Sequence, residues 1–201
     1  MKKGGKTLGL AIFSCLIAAG LFLVLAINLE NNLDKQINLS LNTTGGFTSC
    51  FMLIQIIFEP IYAVIALVLL SLLLYYKKYK EESFVLVVSS IISAGMIPLL
   101  KEIIQRARPE KIIESGFSFP SGHATISIII FGFLIYFSLK NFKKIMQVPA
   151  IIFSIFMILL IGFSRLGLGV HWVTDILGGY MLGTIILLVS TIVVTTLRKN
   201  P

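Results

Sequence analysis

Three short polar blocks carry the side chains of this sequence that could do chemistry. They span residues 101–109, 120–123 and 164–175. Lys101, Arg108 and Arg165 supply three fixed cations, and the planar guanidinium of arginine matches a phosphate in bidentate fashion. Block 120–123, Pro-Ser-Gly-His, is typical of a helix start, where unpaired N–H groups and the helix dipole favour an anion. The sequence therefore predicts an anion site of the kind that suits phosphate.

The two histidines of the chain lie in separate blocks, His123 in the second and His171 in the third. Asp175 follows His171 by four residues, so on a helix the two side chains share one face and can hydrogen-bond. A carboxylate on one ring nitrogen fixes the tautomer and leaves the other nitrogen free as a base or nucleophile. Two histidines beside a cation cluster indicate phosphoryl transfer, in which one histidine attacks and the other protonates the leaving oxygen.

A metal centre is the main chemical alternative. The candidate ligands are two histidines and one nearby aspartate, with no cysteine close to them in sequence. Three cations at the same place would repel a divalent metal. Cys15 and Cys50 lack metal-ligand spacing and do not indicate a disulfide framework. The sequence thus favours a mechanism without a metal or other cofactor.

The elements that must position these blocks are membrane helices. The 201 residues are 57% apolar and 13% charged, against about 45–50% and about 25% in soluble domains. This composition excludes a disordered, coiled-coil or disulfide-stapled secreted chain. A bilayer core about 30 Å thick needs roughly 20 apolar residues as a helix. The suitable charge-free runs are Leu8–Leu29, Pro60–Tyr76, Ser83–Leu100, Ala124–Leu139, Ile145–Ser164 and Ile176–Leu197.

These runs predict an all-α polytopic membrane protein, a single domain over residues 1–201 built as a bundle of six transmembrane helices. The first run is longer than the roughly 7–15 residues of a signal-peptide core, so we expect it to remain as the first helix. Pro60 fits the first turn of the second helix.

Lysine and arginine predict the orientation of the bundle in the cell membrane. With the N-terminus in the cytoplasm, eleven of the 17 basic residues lie on the inner side and six on the outer side. Six spans place both termini in the cytoplasm and all three polar blocks at the outer face. The inward bias also explains the net charge of +8, and nucleic-acid binding loses its main support.

Each block taken alone also has a purely structural explanation. Lys101 fits a side chain that snorkels at a helix end, and Pro120-Ser121 fits a simple helix start. His171 beside Trp172 fits the aromatic belt near lipid headgroups, and Asp175 fits a helix cap. Their co-occurrence at one membrane face favours a functional site.

The sequence assigns no function to two of its features. Arg106, Glu110, Lys111 and Glu114 are interpreted as residues of a solvated loop. Segment 30–56 is a polar outer connection, and the sequence leaves open whether it lies along the membrane surface.

The three blocks together resemble the signature of the type-2 phosphatidic acid phosphatases, also called lipid phosphate phosphatases. That signature is Lys, six residues, Arg-Pro; then Pro-Ser-Gly-His; then Ser-Arg, five residues, His, three residues, Asp, and this chain matches it throughout. The resemblance implies that His171 forms a phosphohistidine, that Asp175 orients it and that His123 protonates the leaving group. It also implies a metal-independent site at the outer membrane–water interface. The implied phosphate ligands are Lys101, Arg108, Ser121, Gly122 and Arg165.

The implied substrate is a membrane lipid phosphate or pyrophosphate: undecaprenyl pyrophosphate, phosphatidylglycerophosphate or phosphatidic acid. Only residues 110–119 separate the first two blocks, which leaves no large outer cap to select a headgroup. A lipid phosphotransferase using the same histidine adduct is one alternative, and a non-catalytic anion-binding or transport protein is another. A haloperoxidase, which has a similar site, is disfavoured by the membrane spans. The oligomeric state stays open.

Overall fold

The computed structural model describes residues 2–27, 32–41, 48–109 and 114–199, and the regular structure in these ranges is helical throughout. A π-helical turn, Ile128–Gly132, joins two of the helices into one span, Gly122–Asn141. The all-α prediction is confirmed for these ranges. The helices are α1 (Lys2–Ile27), α2 (Asn32–Leu41), α3 (Thr48–Ile57), α4 (Pro60–Tyr76), α5 (Lys80–Ile104), α6 (Gly122–Ser127), α7 (Phe133–Asn141), α8 (Lys144–Gly167) and α9 (Val173–Lys199).

Four helical segments are long and apolar enough to cross a membrane: α5, α6 continued through α7, α8, and α9. The pair α3 and α4, bent by 45°, makes a fifth candidate span. In α1 the apolar segment Ile12–Ala26 is shorter than these. The chain is therefore a multi-pass helical membrane protein with four or five candidate spans among its described residues, and the count of six stays a prediction.

The outside of the bundle is apolar, as a lipid environment requires. Leu69, Ile91 and Ile152 are examples of large aliphatic side chains that are more than half exposed. Several buried side chains are instead polar, among them Arg165 and Asp175. Ionisable groups inside a membrane bundle are costly unless they are paired, and they mark functional sites.

Helix α9 lies at the centre of the bundle and packs against α1, α5 and α6. Two of its glycines permit the contact with α6. A Cβ at Gly179 would lie 2.6 Å from the carbonyl oxygen of Ser121, and one at Gly183 would lie 2.6 Å from that of Thr125. The absence of these side chains lets the backbones of α6 and α9 touch, which fixes the second polar block against the third.

Two local signals set the ends of helices near the site. Pro60 occupies the first turn of α4, as predicted. Gln105 ends α5 in the left-handed conformation, with φ 51° and its N–H donating to the Lys101 carbonyl. The chain therefore leaves the helix after Ile104, one turn beyond Lys101, and brings Arg106 and Arg108 back across the end of the bundle.

Candidate active site

The three polar blocks meet at one end of the bundle, called the site end below. Helices α5 and α8 end there, and α6 and α9 begin there. A cavity of about 350 Å³ lies at this end, lined by Lys101, Gly122, His123 and His171 of the predicted residues. The other four predicted residues, Arg108, Ser121, Arg165 and Asp175, are grouped around these, as described next.

His171 and Asp175 form the contact that their spacing predicts, but for a different reason. His171 Nδ1 lies 3.3 Å from Asp175 Oδ2, and both side chains are buried. His171 precedes α9, which begins at Val173, so the two residues are not one turn apart on a helix. Asp175 lies in the first turn of α9, and its carboxylate contacts the two residues that precede the helix. Asp175 Oδ2 also accepts from the Trp172 N–H at 2.8 Å, so Asp175 stabilises the start of α9 as well.

The partners of His171 define its tautomer. A carboxylate only accepts hydrogen bonds and a guanidinium only donates them. Asp175 therefore requires a proton on Nδ1, and Arg108, whose Nη1 lies 3.3 Å from Nε2, requires a lone pair there. Arg108 is held in place by its Nη1 donating to the Val170 carbonyl at 2.9 Å and its Nε donating to the Gly116 carbonyl at 3.1 Å.

Burial keeps this imidazole neutral. It lowers the pKa of His171 below the ordinary value of 6.5, and the hydrogen bond to Asp175 opposes the shift without cancelling it. A neutral ring with a proton on Nδ1 presents its Nε2 lone pair beside the Arg108 guanidinium. This is the protonation state that a nitrogen nucleophile needs, and the lone pair becomes free to attack when Arg108 Nη1 leaves Nε2.

Unpartnered buried nitrogen atoms mark the rest of the site. Among the side chains that the structure describes, four buried polar atoms lack a hydrogen-bond partner, and three of them are His123 Nε2, Arg165 Nε and Arg165 Nη1. Leaving a buried polar group unpaired costs about 1–3 kcal/mol. A ligand with several acceptor oxygens would remove this cost, because it could pair all three atoms.

Ser121 and Gly122 begin α6. The Ser121 hydroxyl accepts from the Ala124 N–H at 3.5 Å, and the Ser121 N–H donates to the Asp175 carbonyl at 3.1 Å. Ser121 is fully buried. The Ser121 side chain therefore caps the start of α6, which agrees with the purely structural explanation of this residue. The Ser121 backbone connects the second block to the third.

Arg106 corrects the sequence-based interpretation. It was predicted to lie in a solvated loop, but its side chain is 8% exposed and binds two buried carboxylates. Nη1 lies 2.6 Å from Asp175 Oδ1, and Nη2 lies 2.7 Å from Asp34 Oδ2. The guanidinium also lies over the Trp172 ring, 5.4 Å from its centroid. Arg106 thus holds the oxygen of Asp175 that does not face His171.

Asp34 was also missed, because segment 30–56 received no role. It lies on α2, is 1% exposed and accepts from Thr174 through both the backbone N–H (3.1 Å) and the hydroxyl (2.5 Å). The chain has only two aspartates, Asp34 and Asp175, and both bind Arg106. That scarcity was the one available signal for the pairing.

Glu114 is the second correction to the solvated-loop interpretation. Its Oε2 lies 3.1 Å from Arg108 Nη1, and its Oε1 accepts from Arg165 Nη2. Gln55 Nε2 donates to Oε1 as well, at 3.3 Å. Glu114 also lines the cavity. The remaining loop residues of that interpretation, Glu110 and Lys111, lie outside the described residues.

Metal ligands are scarce in the described part of the chain. In it, no group of three or more His, Cys, Asp or Glu side chains could hold a metal ion. The described side chains of the site are two histidines, the carboxylates of Asp34, Asp175 and Glu114, and four cations, Lys101, Arg106, Arg108 and Arg165.

Fold and site together define a helical membrane protein with a cation-rich cavity at one end. The family model described as the PAP2 superfamily matches residues 82–199, which hold all three polar blocks. The chain belongs to the PAP2 superfamily, which confirms the resemblance seen in the sequence.

Two curated relatives share parts of this chain. Phosphatidylglycerophosphatase B of Bacillus subtilis (strain 168) is 39% identical over 97 residues, which cover 44% of this chain and 46% of that protein. Undecaprenyl-diphosphatase of Sulfolobus acidocaldarius is 28% identical over 135 residues, which cover 63% of this chain and 62% of that protein. The chain thus matches less than two thirds of the length of each of these relatives.

A solved structure confirms the fold over nearly the whole chain. It is the crystal structure of a transmembrane PAP2-type phosphatidylglycerolphosphate phosphatase from Bacillus subtilis, with a TM-score of 0.81 and 24% identity. The match covers 94% of this chain and 98% of that chain. At this level of identity the likeness establishes the architecture alone.

Proposed function

We propose that this protein is a metal-independent lipid phosphatase that removes the terminal phosphate of a lipid phosphate or pyrophosphate. One observation carries the proposal: the Nε2 lone pair of His171 and the unpartnered Nε2 of His123 belong to side chains that line one cavity. Arg165, whose Nε and Nη1 are also unpartnered, is linked to that cavity through Glu114. A nucleophile, a proton donor and phosphate ligands would then surround one bound headgroup.

In the first step, His171 Nε2 attacks the terminal phosphorus. A nitrogen–phosphorus bond forms, and the bond from phosphorus to the lipid oxygen breaks. The leaving oxygen takes a proton from His123, whose imidazolium form the negative charge of the bound phosphate favours. Asp175 stabilises the positive charge that develops on the His171 ring, while Arg108 and Arg165 stabilise the phosphoryl oxygens.

In the second step, water attacks the phosphohistidine. His123, now neutral, accepts a proton from the water as the new oxygen–phosphorus bond forms. The nitrogen–phosphorus bond breaks, its electron pair returns to His171, and inorganic phosphate leaves. Lys101 lines the cavity and adds a third cation for the phosphate. Ser121 and Gly122 form the start of α6, where the helix dipole favours the bound anion.

The proposed substrates follow from the relatives and from the shape of the site. The two curated relatives are named for phosphatidylglycerophosphate and undecaprenyl diphosphate, and the cavity lies at the end of membrane helices, where lipid headgroups are found. Phosphatidylglycerophosphate, undecaprenyl pyrophosphate and phosphatidic acid are therefore the candidates. They share a terminal phosphate on an apolar lipid.

We also propose the finer membrane arrangement. The chain forms one domain of six spans, with α1 as the first span and the α3–α4 region contributing the second. Both termini lie in the cytoplasm and the site end faces outward. The excess of lysine and arginine in the opposite loops supports this orientation.

The experiment that tests the function is phosphate release from a panel of the three purified lipids in detergent, with excess chelator and no acceptor. His171→Ala is expected to abolish release, whereas Asn141→Ala, an exposed substitution at the opposite end of the bundle, is expected to leave it unchanged. Phosphate release that requires an added lipid or sugar acceptor would instead identify a phosphotransferase. Full turnover by folded His171→Ala would exclude His171 as the nucleophile.

A further inference from the structure

Glu114 carries a carboxylate into the position where the proposed function needs a phosphate. One of its oxygens faces Arg108 at 3.1 Å, and the other accepts from Arg165. Both arginines belong to the set that the family signature implies as phosphate ligands. The side chain lines the same cavity as Lys101, His123 and His171.

The charge of Glu114 suits this position. Burial raises the pKa of Glu114, but the neighbouring Arg165, with a smaller contribution from Arg108, outweighs burial and holds it below the ordinary value of 4.5. The side chain is therefore anionic at neutral pH. It offsets part of the repulsion among Lys101, Arg108 and Arg165, which would otherwise be highest in a site without a bound anion.

A carboxylate only partly satisfies these donors. Arg165 Nη2 is paired with Glu114, whereas Arg165 Nε and Nη1 and His123 Nε2 lack partners. A terminal phosphate offers three non-bridging oxygens and up to two negative charges, against two oxygens and one charge for a carboxylate. A phosphate can therefore replace Glu114 and gain contacts that Glu114 leaves unmade.

We propose that Glu114 is a displaceable internal ligand of the phosphate site, which holds Arg108 and Arg165 in the empty protein and competes with every phosphate that enters. This inference rests on the proposed function. Its consequence is lower affinity for the substrate headgroup and for inorganic phosphate alike, because both must displace the same carboxylate. Glu114 would thereby speed release of the phosphate product.

The expected size of the effect follows from population arithmetic. If Glu114 occupies the site about nine times in ten, the apparent affinity for phosphate is about tenfold below its intrinsic value. Glu114→Gln keeps the shape of the side chain and removes its charge. It is expected to lower both the KM for a lipid phosphate and the inhibition constant for inorganic phosphate, each by about tenfold and by similar factors.

The test compares Glu114→Gln and Glu114→Ala with Glu102→Gln, which removes the same charge from an exposed residue of α5. Calorimetric binding of inorganic phosphate is measured beside lipid turnover, and thermal unfolding checks that each variant is folded. Tighter phosphate binding in either folded Glu114 variant, with Glu102→Gln unchanged, supports the proposal. Unchanged or weaker phosphate binding in the folded Glu114 variants overturns it and makes Glu114 a fixed support for Arg165.

The two readouts separate this inference from the proposed function. If no lipid is hydrolysed but Glu114→Gln tightens phosphate binding, the proposed activity fails and the displaceable ligand stands. If lipids are hydrolysed and phosphate binding does not tighten, the activity stands and the displaceable ligand fails.

Discussion

Replacing Arg106 with methionine is expected to destabilise this protein by about 3–5 kcal/mol, the cost of removing one partner from a buried ion pair. Methionine matches the length of the arginine stem but removes the guanidinium that both Asp34 and Asp175 bind. Asp34 and Asp175 are 1% and 0% exposed, so water cannot replace the guanidinium. Thr174, the other partner of Nη1 at 2.6 Å, loses a contact as well.

The stability loss can be measured by thermal unfolding in detergent. For a chain of about 150–250 residues, 1 kcal/mol shifts Tm by about 2–4 °C, so a decrease of about 6–20 °C is expected. Arg106→Lys keeps the charge but cannot bind two carboxylates in the planar geometry of a guanidinium. Its Tm is expected to lie between that of the unsubstituted protein and that of Arg106→Met. Lys35→Met removes an exposed cation from the neighbouring part of α2 and serves as the control.

Turnover should fall together with stability, because Arg106 fixes the carboxylate that faces His171. A displacement of about 1 Å in such a group can cost about 10²-fold in rate, so kcat is expected to fall by about that factor while KM changes little. Asp34→Asn combined with Arg106→Met should be less damaging than the sum of the single changes, since the two residues share one network. The reasoning would be refuted if Arg106→Met had the same Tm and the same kcat as the Lys35→Met control.

Three further predictions concern the histidine, metals and topology. Because burial lowers the pKa of His171, its ring is expected to protonate with a midpoint below pH 6.5. Nitrogen-15 NMR measures this midpoint, and the spectrum of His123→Asn shows which signals belong to His171. A midpoint above pH 6.5 would contradict the prediction. Phosphate release is expected to be unchanged by excess chelator, whereas loss on chelation and recovery with a divalent ion would argue for a metal. In intact cells that express single-cysteine variants without the native cysteines, an impermeant thiol reagent should label a cysteine at Asn32 and not one at Lys78. The reverse labelling pattern would invert the proposed topology.

Much of the fold could be predicted from local patterns. The run Pro60–Tyr76 coincides with α4, and the run Ile145–Ser164 lies within α8. An apolar run in a bilayer must pair its own backbone groups, and a helix does this within the run itself. Such predictions need no knowledge of distant residues. The bend between α3 and α4 was not predicted, although Pro60 marked the point where α4 begins.

The candidate site could be predicted only in part. The spacing of the three blocks indicated eight of its residues, because a phosphate site needs cations, a helix start and histidines in recognisable combinations. The spacing did not indicate Arg106 and Glu114, because the sequence does not show whether a charged loop residue is solvated or paired. It also failed for Asp34, whose partner Thr174 lies 140 residues away in the chain.

The sequence by itself therefore determined the class of protein, its helical character and the residues available for chemistry, since each depends on composition or short spacing. Only the tertiary structure decided how the charges pair: Arg106 with Asp34 and Asp175, and Glu114 with Arg108 and Arg165. The physical reason is the low polarity of the bundle interior. It obliges each buried charge to find an opposite charge, and which one lies within reach depends on how α2, α5, α8 and α9 pack together.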